Sequence, residues 1–212
     1  ILTAHLDHVG IQNGEIYNGA DDNGSGTVAL LEIAEAFALA KEQGYSPKRS
    51  VVFLHVTAEE RGLLGSEYYA DYDPLVPIDN TIANLNMDMM GRADPNRGVK
   101  NLNYVYVIGS DILSDDLHKI NLEANENYAF LELDFRYNDI NDPNQFYYRS
   151  DHYHFVKNNI PSIFYFSGVH EDYHKPTDTA EKILYEPYKR RVKLIFHTAW
   201  DLANSKEKIK LK

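Results

Sequence analysis

The 212-residue sequence predicts an α/β fold: a three-layer sandwich in which helices flank a mixed, mostly parallel central sheet. Three observations carry that expectation. Apolar runs of strand length alternate with segments of helical periodicity along the whole chain. At least one run, SVVFLHVT, is continuously apolar instead of alternating, the pattern of a strand covered on both faces. Polar clusters containing His, Asp, Glu and Gly follow the apolar runs, where loops leave the carboxyl ends of strands in a parallel sheet. No repeat, low-complexity linker or shift in composition divides the chain, and 43% hydrophobic residues suffice for one core, so residues 1–212 read as a single domain.

Residues 1–9 (ILTAHLDHV) form the first predicted strand, ending in the turn material NGEIYNGADDNGSG. The chain thus opens in mid-strand, and the first strands of the sheet, with any targeting segment, are expected to be missing. Residues 27–43 carry apolar side chains at helical spacing, with Ser25 as the expected N-cap and Gly44 as the stop. Residues 50–57 are the doubly covered strand, and residues 64–72 a short helix. Strands follow at 81–89 and 103–108, a helix at 115–125, and a strand at 161–167. A long helix at 186–204 closes the chain, with Pro187 in its first turn.

Composition narrows the chemistry. With no cysteine, thiolate metal sites and disulfides are excluded, and any metal must be held by the nine His together with Asp and Glu. A formal charge of −11, from 21 basic and 32 acidic residues, argues against a nucleic-acid groove and against docking on an anionic membrane. No apolar run reaches the roughly 18 residues of a membrane-spanning helix.

Five clusters can carry chemistry. In AHLDHVG, His5 and Asp7 share a strand face, so Asp7 can fix the orientation of the His5 ring directly or through a neighbour; alone, the pair also fits a solvated strand end. In NGADDNGSG, helix capping accounts for one of Asp21 and Asp22 and leaves the other unexplained. In HVTAEERGLLGS, Glu59 and Glu60 would point to opposite faces of a regular strand, and both reach one centre only if the chain bends there. Two carboxylates about 4 Å apart repel by about 4 kcal/mol at an effective dielectric near 20, a conflict that an intervening cation removes; a solvated pair in a turn is the other reading. Asp88 emerges from an otherwise uncharged strand in NLNMDMMG, a costly position unless it is paired or metal-bound. The loop GVHEDYHKPTD offers His170, Tyr173 and His174. Taken together, several His and at least four carboxylates without a thiolate suit zinc or a neighbouring divalent ion, and so many ligands suit two ions sharing a carboxylate.

The order of these residues resembles that in the zinc-dependent exopeptidases of the bacterial co-catalytic aminopeptidase type, including the secreted aminopeptidases of Streptomyces and Vibrio. The resemblance runs through His5-Leu6-Asp7, Asp22-Asn23-Gly24-Ser25-Gly26, Ala58-Glu59-Glu60, Asp88-Met89, Ser150-Asp151-His152 and Tyr173-His174. It implies two zinc ions per chain bridged by Asp22, with His5 and Asp88 completing one ion's ligands and Glu60 and His174 the other's. It further implies Glu59 as general base, Asp7 as the carboxylate orienting His5, Tyr173 as a phenol at the oxyanion, and a cis peptide between Asp22 and Asn23. The implied activity is removal of N-terminal residues from peptides by an exported enzyme, with no nucleic-acid partner and no membrane insertion. Two rivals share the fold: a single-zinc glutaminyl cyclase, and a catalytically inactive receptor-like domain that has lost ligands. Ser150-Asp151-His152 lacks the spatial arrangement and glycine elbow of a serine hydrolase, and instead borders the site in the resembling family. His8, His154 and His170 match no ligand position there, and His55, His118 and His197 read as locally bonded strand or helix histidines. The aromatic stretch NDPNQFYYRSDHYHF fits loop packing and a pocket wall equally well.

Overall fold

The computed structural model describes residues 1–98, 101–139 and 141–212. In chain order the elements are β1 (Leu2–His5), a hairpin of β2 (Gly10–Gln12) and β3 (Glu15–Tyr17), α1 (Gly26–Glu42), β4 (Phe53–Val56), α2 (Leu64–Glu67), β5 (Asn84–Met87), β6 (Tyr104–Ile108), α3 (Asp115–Ala124), β7 (Glu132–Asp134), α4 (His152–Lys157), β8 (Ser162–Phe166) and α5 (Tyr185–Asn204). Six strands make one sheet in the order β4-β1-β5-β8-β6-β7. Pairings β1–β4, β1–β5, β5–β8 and β6–β7 are parallel and β6–β8 is antiparallel, so β6 and β7 run opposite to the other four strands.

Strand alternation sorts the side chains into two layers. Val105, Val107, Ile163 and Tyr165 face the side covered by α1, α3 and α5, where Leu30, Ile33, Phe37, Leu117, Leu194 and Ile195 complete the main core. Tyr104, Tyr106, Ile108, Phe164 and Phe166 face the other way into an aromatic cluster closed by Met89 and Phe146. Farther along that face Phe155 of α4 packs with Tyr69 and Ile160. This is the predicted mixed sandwich. No helix is long and apolar enough to cross a membrane, among the described residues.

Several local expectations need correction. The run at 50–57, read as doubly covered, is the edge of the sheet; its regular part begins at Phe53, and Phe53, Leu54 and His55 are only half-buried. Ser25 holds the N-cap position of α1, as expected, but its side chain makes no capping bond. Its hydroxyl donates to Asp21 and accepts from the Met90 amide, while the Asn23 side-chain oxygen takes the Gly26 N–H at 2.9 Å. The helix at 64–72 is regular only to Glu67 and widens into a π-turn over Tyr68–Tyr72. The hairpin, β7 and α4 add elements not expected from the sequence. The Asp22–Asn23 peptide is cis, as the resemblance implied.

Candidate metal centre

Because β1, β4, β5 and β8 run parallel, their carboxyl ends open on one edge of the sheet, and the sequence clusters converge there. His5 is the last residue of β1, Asp88 directly follows β5, Glu59 and Glu60 come three and four residues after β4, and His174 lies in the loop beyond β8. Asp22 arrives from the loop ahead of α1.

Asp22 stands between two groups. Its Oδ1 lies 3.4 Å from His5 Nε2, which is 3.5 Å from Asp88 Oδ1. Its Oδ2 lies 3.0 Å from His174 Nε2, which is 3.1 Å from Glu60 Oε2. Zinc bonds of about 2.0–2.1 Å in tetrahedral directions hold ligand atoms about 3.3 Å apart, so these spacings are those of ligands around a small cation. Hydrogen bonding agrees. His5 Nε2, Asp22 Oδ2 and Glu60 Oε1 are buried without a hydrogen-bond partner, a costly state for polar atoms unless a cation receives them. His5, Asp22 and Asp88, and again His8, Asp22 and Glu60, each bring ligand atoms within 4.8 Å of one another. The donor set thus fits zinc.

The bend at the glutamates is real. Ala58 takes a left-handed conformation (φ 57), a 3-10 turn spans Glu59–Arg61, and Gly62 (φ 101) releases the chain into α2. The Asp7 carboxylate accepts the amides of Glu59 at 3.1 Å and Glu60 at 3.3 Å, holding the turn. Gly65 anchors the far side: its N–H donates to Thr57 O at 2.9 Å, and a Cβ there would lie 2.2 Å from that oxygen. The expected role of Asp7 is thereby corrected. His5 Nδ1 meets the backbone carbonyl of Asp7 at 3.0 Å, while the Asp7 carboxylate stays 3.8 Å away. With Nδ1 as the donor, the carbonyl orients the ring and leaves Nε2 as an acceptor facing the carboxylates.

The histidines and carboxylates of the centre shift one another's titration. Burial opposes charge on His5, but Asp88 and Asp22 hold its pKa well above the usual value. The carboxylates of Asp22 and Glu60, close against its ring, raise His174 to about 10. Burial works against the charged forms of Asp22 and Glu60, yet His174 with His5 for the former, and with His8 for the latter, hold both below their usual range. Glu59 is pushed up to about 9, first by burial and then by Asp88.

Supporting groups surround it. Ser150 Oγ donates to Asp88 Oδ2 at 2.7 Å, and Asp151 accepts from Ser66 Oγ at 2.5 Å and is raised to about 7 by burial. His152 is buried against Phe164. Asp178 Oδ2 takes the backbone amides of both Asp21 (2.9 Å) and Asp22 (3.1 Å), and His170 reaches Asp21 Oδ2 at 3.1 Å. Sequence reasoning missed Asp178; its only signal was its place in HKPTD, just after His174. His154 pairs with Asp71 away from the centre, while His55 meets Thr27 O, His118 meets Ser110, and His197 stacks on Tyr128. A cleft beside Glu59 and Asp88 is walled by Phe146, Phe164, Phe166, Val169 and Tyr173, with Arg149 at its rim. Phe146 thus packs and lines at once, while Tyr147 and Tyr148 border a separate cavity of about 330 Å³. Tyr173 stacks on His174 with ring centroids 3.9 Å apart.

A His/carboxylate cluster whose donor set fits a divalent cation thus lies on the carboxyl edge of a mostly parallel α/β sheet. The chain belongs to peptidase family M28, whose profile matches residues 1–199. Among curated proteins it is 35% identical over 173 residues to a probable leucine aminopeptidase 2 of Aspergillus oryzae, covering 79% of this chain and 30% of that protein. Among solved structures it shares the fold of a zinc aminopeptidase from Bacillus subtilis (TM-score 0.71, 24% identity, 99% of this chain and 48% of the other). It also shares the fold of the Porphyromonas gingivalis glutaminyl cyclase (TM-score 0.63, 20% identity, 93% of this chain and 71% of the other). The chain spans between 30% and 42% of the length of the first curated relatives it matches.

Proposed function

We propose that residues 1–212 act as one catalytic domain of an exported aminopeptidase that binds two zinc ions and releases N-terminal residues from peptides. The observation that supports it most is Asp22, whose two oxygens face two separate His/carboxylate groups. In this reading His5, Asp22 and Asp88 hold one ion, and Asp22, Glu60 and His174 the other. Bound zinc supplies Lewis acidity and brings the pKa of water towards about 7. Glu59, beside Asp88 in the cleft, takes the proton of the attacking water and returns it to the leaving amine. Tyr173 donates its phenol O–H to the developing oxyanion. Asp7 acts from behind, fixing His5 through its carbonyl and both glutamates through its carboxylate. The acidic rim of the centre suits a free, positively charged substrate N-terminus, and the aromatic wall suits an apolar first side chain.

The reading is tested with a panel of aminoacyl p-nitroanilides, assayed after chelation and after zinc is restored. It expects hydrolysis that disappears with chelation and returns with zinc. Zinc-dependent cyclisation of N-terminal glutamine without hydrolysis would favour the cyclase, and inactivity with no bound zinc the receptor-like domain.

A further inference from the structure

We propose that His8 is a fourth protein ligand of the ion held by Asp22, Glu60 and His174, so that this site is closed while the His5–Asp22–Asp88 site keeps the open position. The inference rests on the two-ion reading above. His8 Nδ1 lies 3.0 Å from Glu60 Oε1 and 3.8 Å from Asp22 Oδ2, on either side of the spacing expected between ligands of one tetrahedral zinc. Its side chain is 11% exposed, yet neither ring nitrogen has a hydrogen-bond partner. Nδ1 and Glu60 Oε1 approach each other closely, yet neither is hydrogen-bonded. The ring stands edge-on to His174 with centroids 5.9 Å apart, so the two imidazoles approach from different directions.

The fold is shaped to admit this ring. After Leu6, 65% exposed, the chain turns and brings His8 back under the loop that carries Asp22. Gly19 in that loop has φ 63, and a Cβ there would fall 2.6 Å from His8 Cγ, so the backbone passes against the imidazole where no other residue fits. A merely solvated histidine needs no such cradle. Closed four-ligand zinc sites are characteristic of structural ions, and an open position of catalytic ones. In this arrangement His8, Asp22, Glu60 and His174 would hold one ion without an open position, and His5, Asp22 and Asp88 would leave room beside the other for water and substrate.

The test compares the wild-type domain with His8→Gln and His8→Cys by metal titration and by cobalt absorption. The wild type is expected to take two equivalents of cobalt. In His8→Gln the first equivalent binds as before, and the second binds roughly 100-fold more weakly with a less intense visible band, as water replaces the imidazole. His8→Cys is expected to recover the second equivalent and to add a thiolate-to-cobalt charge-transfer band, readily assigned because the chain has no other cysteine. Second-equivalent binding and spectrum unchanged in His8→Gln, or no charge-transfer band in His8→Cys with two ions bound, would overturn the proposal. Weaker binding with an unchanged spectrum would overturn it too, placing His8 behind Glu60 as a positioning residue. A single equivalent in the wild type would remove the two-ion reading itself.

Discussion

Glu59→Gln separates stability from catalysis in opposite directions. The amide keeps the size of the side chain and the backbone bond to Asp7, but it cannot take a proton. In the metal-free protein Glu59 titrates near 9 against 4.5 for an ordinary glutamate, because burial and Asp88 disfavour its charge. A raised carboxyl pKa means that the folded protein loses stability as pH climbs from about 4.5 to about 9. A pH of 7 lies about 2.5 units above the unfolded pKa, so at about 1.4 kcal/mol per unit keeping Glu59 protonated in the fold costs up to about 3.5 kcal/mol. The variant escapes that cost. Urea unfolding of the metal-free proteins at pH 7 is therefore expected to show Glu59→Gln more stable by up to about 3.5 kcal/mol, with the difference shrinking towards pH 4.5. With zinc bound, loss of the proton acceptor is expected to lower kcat roughly 100- to 10,000-fold, or about 3 to 5 kcal/mol of barrier. Activity within a few-fold of wild type, or a variant less stable than wild type at pH 7, would refute the reasoning.

Zinc affinity is expected to rise with pH from 6 to 9, because His5 and His174 carry protons in the metal-free centre that the ion must displace; chelator competition measures it, and a flat profile contradicts it. Arg191 is fully buried and donates to the carbonyls of Met90, Arg92, Tyr104 and Leu102 behind the Asp88 loop. Arg191→Met is expected to lose about 3 kcal/mol in urea unfolding, the unpaired carbonyls outweighing relief of the buried charge, and a change under about 1 kcal/mol would contradict this. Gly65→Ala, forcing a methyl against Thr57 O, is expected to cost about 2 kcal/mol and to reduce zinc content by shifting the glutamate turn; full zinc content would show that the turn does not depend on that contact.

The sheet was legible where strands are long and apolar. TIANLNMDM, NYVYVI and PSIFYFS each contain a central strand, and the strand in the first of them runs directly into Asp88, which the centre uses. Short elements were not legible, since β2, β3 and β7 have three residues each and are held by pairing and not by their own pattern. β4 misled because a continuous apolar run fits an edge strand as well as a central one when one face is half-open. The ligand candidates could be read because they lie beside turn signals. Asp178 could not, since its bonds to the amides of Asp21 and Asp22 span 157 and 156 residues. His8 was visible but unassigned, because only the path of the Gly19 loop brings its ring to Glu60.

Zinc content of Asp22→Asn against wild type tests the central claim most directly. The substituted amide would match the carboxylate in shape yet could not serve as an anionic bridge between His5–Asp88 and Glu60–His174. The account predicts about two zinc ions per chain in the wild type and nearly none in the variant. Two ions retained without the carboxylate, or a single ion in the wild type, would contradict it.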